Sequence, residues 1–180
     1  MFSLLNCVPR RLNRLPLRCK PSSLYAATQM SHSKATWGYS KEDGPATWAK
    51  LLDIKVGKKQ SPIDIVRASA VFDESLKSLK FSYPGFENAK LENNGHTVQF
   101  SPTGENTSEA SCGPVTNKYK LAQFHFHWGE NNDVGSEHTV DGKPYSGELH
   151  LVHYNTDLYS SAAEALTQKD GLMVFGIFLK

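Results

Sequence analysis

The sequence predicts a mainly β domain of the α+β class, and three observations carry that prediction. Apolar residues recur with a period of two in several runs bounded by Gly, Pro, Asn and Asp. Only residues 160–167 have the Ala- and Leu-rich, branch-poor makeup of a helix. The 180 residues are 39% hydrophobic, enough for one core and too few for two ordinary domains. No run approaches the ~18 apolar residues that cross a bilayer. A net charge of +2 suggests no nucleic-acid partner.

Charge divides the chain near residue 41. The first 41 residues hold seven of the 20 basic residues and none of the 18 acidic ones. Arg10, Arg11, Arg14 and Arg18 alternate there with Leu12, Leu15 and Leu17, while Pro9 and Pro16 limit any helix to short pieces. An acid-free, Arg-rich, Ser-containing start reads as a mitochondrial transit peptide over residues 1–36. The alternatives are a disordered basic leader, or a start at Met30, with a cytoplasmic protein. Cys7 and Cys19 fall in this leader, which leaves Cys112 alone in a Ser-Cys-Gly-Pro loop. One thiol without a partner fits a reducing compartment, and its neighbours supply no activating group.

Order is expected from Trp37 onward, and residues 37–180 are assigned to one domain. Trp37-Gly38-Tyr39, Gly44-Pro45 and Trp48 suggest an irregular segment pinned by buried rings. Residues 62–66 read as a short strand, and residues 79–83 alternate until Pro84-Gly85 stops them. A turn at Asn93-Asn94-Gly95 precedes a strand from His96 to Phe100. The longest alternating run is Tyr119 to Trp128, with Leu121, Gln123, His125 and His127 expected on one face. Ala122, Phe124, Phe126 and Trp128 take the other. Asp141-Gly142 signals a turn before a strand from Gly147 to Asn155. Residues 172–179 are apolar on both faces, the pattern of a strand buried between layers. Ending there at Lys180, the chain reads as one cut inside its domain.

Three of the seven histidines have metal-site spacing. His125 and His127 are two apart on a strand, so their imidazoles point the same way. His150 lies on the next long strand and completes the cluster if the two strands pair antiparallel. Three neutral imidazoles with a fourth position open form the ligand set of a catalytic zinc ion; a structural site would be closed by four protein ligands. Gln123 and Glu148 each precede a histidine by two, where an acceptor can hold the imidazole N–H and fix its tautomer. An HxH pair alone is weak; the third, face-matched histidine with two such partners makes the pattern strong.

These residues belong to longer motifs. Gln60-Ser61-Pro62-Ile63-Asp64-Ile65, Asn93-Asn94-Gly95-His96, residues 123–129, Ser136-Glu137-His138-Thr139-Val140-Asp141-Gly142 and residues 148–153 together resemble the α-class carbonic anhydrases. The likeness runs from about Trp37 to Lys180 and includes the aromatic start. It implies a large, twisted, mostly antiparallel central sheet with short peripheral helices, lacking that family's C-terminal part. It implies a lyase in which Zn²⁺ is held by His125, His127 and His150, and zinc-bound hydroxide converts carbon dioxide to bicarbonate and a proton. Zinc sites of this kind are exemplified by carbonic anhydrase itself.

The resemblance also assigns roles. His96 matches the proton shuttle, a task suited to an imidazole's near-neutral pKa. Tyr39, Asn94 and Gln99 match polar cavity positions, and Val152 and Val174 match the apolar wall where carbon dioxide rests. Glu137 matches a carboxylate that orients a threonine, and in the family that threonine lies in the part this chain does not contain. His138 and His153 read as structural. A monomer acting on small molecules is expected. Two other readings stand beside this one: a zinc-binding but inactive or weakly active polypeptide, and a cupin-like metal oxygenase. The second wants a carboxylate four or five residues after His127, whereas Glu130 comes at three.

Overall fold

The structure, a computed structural model, describes residues 42–44, 47–48, 50, 59–76, 78–112 and 115–180. Residues 1–36, expected to be a leader, lie outside the described residues together with Trp37 and Tyr39, as do the surroundings of the Cys112 side chain. Among the described residues no helix is long and apolar enough to cross a membrane.

Nine strands dominate the described residues: β1 (Asp64–Ile65), β2 (Lys80–Ser82), β3 (Asn88–Asn93), β4 (Val98–Thr103), β5 (Glu109–Cys112), β6 (Val115–Trp128), β7 (Thr139–Val140), β8 (Gly147–Asn155) and β9 (Leu172–Leu179). Seven form one antiparallel sheet. Its path runs β2-β5-β6-β4-β3, with β8 along the other side of β6 and β9 beyond β8. The exception to antiparallel order is the small β1–β7 pair, which is parallel. The mainly β, mostly antiparallel reading holds.

Strand β6 is the spine because its alternation is the longest in the chain. It pairs with β8 from Tyr119–Asn155 to Trp128–Gly147, with a register shift between Leu121 and Gln123. This bulge at Ala122 corrects the expected faces. Leu121 sits opposite His153 while Gln123 sits opposite Val152, so the two residues project to opposite sides. Leu121 joins Tyr119, Ala110 and His153 in the buried back face, all at 5% exposure or less. Phe124 belongs with them and stacks on Phe100 at 4.8 Å between ring centroids.

The remaining elements follow their local chemistry. Asp141 (φ 50°) and Gly142 (φ 74°) make the turn before β8. Asp141 is held there by Arg67, whose backbone N–H donates to Oδ1 (2.9 Å) and whose guanidinium bonds Oδ2 (2.5 Å). The predicted helix is one turn, α1 (Ala162–Ala165). Ser161 caps it by accepting from the Glu164 N–H, and Glu164 reaches back to the Ser160 N–H. Trp48 is buried, its indole N–H donating to the Asp43 carbonyl (2.7 Å).

Strand β9 departs from expectation. It is apolar on both faces yet half-exposed, with Val174 at 45% and Ile177 at 44%. Among the described residues it pairs with β8 alone, so its outer edge stays bare, and its faces are covered only in part, by Phe81 and His153 against Phe175 and by Tyr145 against Phe178. A strand is buried between layers only where further elements cover both of its faces.

Candidate metal centre

The β6–β8 register builds the centre. His125 sits opposite His150, His127 opposite Glu148, and Gln123 opposite Val152. Directly opposed residues in an antiparallel pair share a face, so period two delivers all three imidazoles to one side. Their ring centroids are 5.0 Å (His125–His127), 5.3 Å (His125–His150) and 4.5 Å (His127–His150) apart. One nitrogen from each lies within 4.8 Å of the others, and all three residues are buried.

Hydrogen bonds decide which nitrogens are available. The Gln123 Oε1 accepts from His125 Nδ1 (2.8 Å), which leaves Nε2 as its ligand atom. Glu148 Oε1 accepts from His150 Nε2 (2.7 Å), which leaves Nδ1. His127 Nε2 is 3.2 Å from that Nδ1. Two nitrogens bound tetrahedrally to one zinc ion at 2.0–2.1 Å are about 3.3 Å apart, so this spacing fits a shared ion. Burial pushes His125 down to about 4 and His127 down to about 3, with His150 adding repulsion at both. Both are therefore neutral at pH 7, the form a metal requires.

The Glu148 carboxylate is anchored on all sides. Besides His150, Oε1 accepts from His138 Nδ1 (2.9 Å), and Oε2 accepts from the N–H groups of Glu137 (3.0 Å) and His138 (2.9 Å). Burial pushes this carboxyl up, but the bonds from His150 and His138 outweigh it and bring it down to about 2. His138, set aside as structural in the sequence, thus reaches the centre through Glu148, with Ser61 Oγ 3.3 Å from its Nε2. His138, Glu148 and His150 also cluster closely enough to suggest a second metal group. Their hydrogen bonds already account for that proximity.

The other expected residues fall around the cluster. Glu137 is buried, its oxygens 3.7 Å from His127 Nδ1 and 3.8 Å from His150 Nε2. Gln99 pairs with His125 across β4–β6 and donates to Ser101 Oγ (3.1 Å). Val152 and Val174 are directly opposed on β8 and β9, on the histidine face. An open cavity of about 410 Å³ lies there, lined by Ser61, Ile65, His138, His150, Val174 and Phe178. His96 stands in the turn before β4 rather than in the strand. Asn94 builds that turn, its Oδ1 accepting from the N–H groups of His96 and Thr97 (3.0 Å each). Thr97 Oγ1 donates to the Phe126 carbonyl (2.5 Å), which ties the His96 turn to β6 between His125 and His127. Nothing in the local sequence signals this tie, because its partners are 29 residues apart.

Comparison with known proteins agrees with this geometry. Residues 43–180 match the model of the eukaryotic-type carbonic anhydrase family. The chain is 49% identical over 146 residues to Carbonic anhydrase 7 of Homo sapiens, covering 80% of this chain and 55% of that protein. It is 49% identical over 149 residues to Carbonic anhydrase 1 of Mus musculus, covering 82% and 57%. To Carbonic anhydrase 7 of Mus musculus it is 47% identical over 146 residues, covering 80% and 55%. The chain spans about half the length of these curated relatives. A family match over most of the chain, on a fold that gathers three imidazoles at one point, means that this chain belongs to the eukaryotic-type carbonic anhydrase family.

Proposed function

We propose that this chain is part of a zinc-dependent enzyme that reversibly hydrates carbon dioxide to bicarbonate and a proton. The observation that carries the proposal is the convergence of His125, His127 and His150, each neutral or with its other nitrogen already occupied. His125 Nε2, His127 Nε2 and His150 Nδ1 are the atoms that would hold Zn²⁺. Bound there, Zn²⁺ supplies Lewis-acid activation of water near neutral pH, the chemistry that carbonic anhydrase exemplifies.

The chain's own residues serve that chemistry in several ways. Gln123 and Glu148 hold the outward nitrogens of His125 and His150, so neither ring can turn from the ion. Val152 and Val174 present opposed apolar side chains beside His150, a surface suited to an uncharged, linear substrate. Gln99 adds a polar neighbour to His125. His96 accepts the released proton and passes it to bulk solvent, a task that needs an imidazole and a place near the water. Glu137 is positioned close to His127 and His150 to orient a hydroxyl donor.

A second reading has its own support. Val174 is 45% exposed and the outer edge of β9 is bare among the described residues, so the apolar wall is open to water. In that reading the 180-residue polypeptide binds zinc and turns over slowly. Stopped-flow hydration assays with zinc analysis, on this chain and on its His150→Ala variant, test both. Loss of stoichiometric zinc and of hydration in the variant is expected. Retained zinc would refute the ligand assignment, while zinc without turnover in the unaltered chain would select the second reading. The import reading of residues 1–36 is tested separately, by whether this segment carries a reporter into mitochondria.

A further inference from the structure

Strand β9 reads Leu-Met-Val-Phe-Gly-Ile-Phe-Leu, and one residue in it has no side chain. Glycine weakens a strand, so a glycine amid bulky apolar neighbours marks a close approach or a backbone need. Gly176 has no positive φ, so no backbone need explains it. Space does. Gly176 lies directly opposite His150 and shares its face. A Cβ built there would be 2.5 Å from Glu148 Oε1, 3.5 Å from its Cδ and 3.6 Å from His150 Nε2.

The atom it would strike is the oxygen that accepts from both His150 Nε2 and His138 Nδ1. Relief would require that oxygen to retreat by at least half an ångström, since real Cβ contacts are not found below 3.0 Å. A free glutamate tip moves readily. This one cannot, because its other oxygen is pinned by the Glu137 and His138 backbone N–H groups. Movement of Oε1 would lengthen the 2.7 Å bond that fixes the His150 tautomer and ring direction.

We infer that Gly176 is a positioning residue of the metal centre: its bare Cα makes the space in which Glu148 holds His150. The inference rests on the reading of His150 as a zinc ligand. Gly176 touches no metal and acts through Glu148 alone.

The test is a double-mutant cycle on the 180-residue chain with Gly176→Ala, Glu148→Ala and both together. Zinc affinity is measured by competition with a chelator, and the visible spectrum of the Co²⁺-loaded protein reports ligand geometry. Changes in residues behind metal ligands cost 10–100-fold in affinity at such sites, carbonic anhydrase among them. Gly176→Ala is expected to weaken zinc binding about tenfold and to alter the Co²⁺ spectrum. Once Glu148 is shortened, the methyl group added at position 176 meets only His150 Nε2 at 3.6 Å, an ordinary contact, so the double variant should bind like Glu148→Ala within about twofold. Should Gly176→Ala fail to fold, a double variant that folds as well as Glu148→Ala still locates the conflict between these two side chains. Wild-type affinity in Gly176→Ala, or a double variant markedly worse than Glu148→Ala in binding or folding, overturns the inference. His150→Ala is run alongside. If it keeps zinc, the ligand reading fails; if it loses zinc while Gly176→Ala binds normally, only the role of Gly176 fails.

Discussion

His125 and His150 face each other in direct register across β6 and β8, their ring centroids 5.3 Å apart. They lie 25 positions apart in the sequence, and one strand pairing brings them together. The bulge at Ala122 lies between this pair and the Tyr119 end of β6. Beyond it, the same two strands turn Leu121 and His153 to the opposite face. One sheet carries the three imidazoles on one side and, on the other, a back face that includes the buried Tyr119, Leu121 and His153.

In the proposed function, proton transfer depends on His96. Replacing His96 with Ala should slow turnover where proton transfer limits it, leave zinc content unchanged, and be rescued by small imidazole buffers. Stopped-flow rates at several buffer concentrations measure this. Turnover that neither slows nor responds to imidazole would move the shuttle elsewhere.

On the back face, His153 is fully buried, bonded to the Tyr83 hydroxyl (2.8 Å) and the Leu151 carbonyl (3.0 Å). Burial pushes its pKa below the ordinary 6.5, partly offset by backbone bonding. The unfolded chain then takes up a proton that the folded chain refuses. The stability from keeping His153 neutral is complete above pH 6.5 and is lost as pH falls. In His153→Gln, the decline in urea stability below pH 6.5 should be shallower, by up to about 1.4 kcal/mol per pH unit. Parallel declines in the two proteins would contradict the assignment.

Much of this was legible in the sequence because period two is a strong signal. Strand β8 begins and ends where Gly147 and Asn155 predict, and Gln123 and Glu148 hold the histidines they precede. Strands β3 (Asn-Ala-Lys-Leu-Glu-Asn) and β5 (Glu-Ala-Ser-Cys) were not legible, since each offers only two alternating apolar residues, too short a run to signal a strand. The bulge at Ala122 carries no compositional mark, and so Leu121 was placed on the wrong face. His138 and Gly176 act through contacts that cross from a loop and from another strand. Such contacts exist only once the register is set.

Turn chemistry sets where β8 begins. Gly142 sits at φ 74° with open space where a Cβ would be, so a side chain there meets strain but no clash. Gly142→Ala should cost about 1 kcal/mol and leave zinc affinity nearly unchanged. Thermal denaturation with a parallel zinc titration checks both. An unchanged or higher Tm would show that the turn tolerates a side chain.

In the proposed enzyme three imidazoles, and no thiolate, grip one zinc ion. X-ray absorption of the zinc-loaded protein tests it most directly. Three imidazole nitrogens at about 2.0–2.1 Å, one further light-atom ligand and no sulfur are expected. A Zn–S distance near ~2.3 Å, or fewer than three imidazoles, would contradict it.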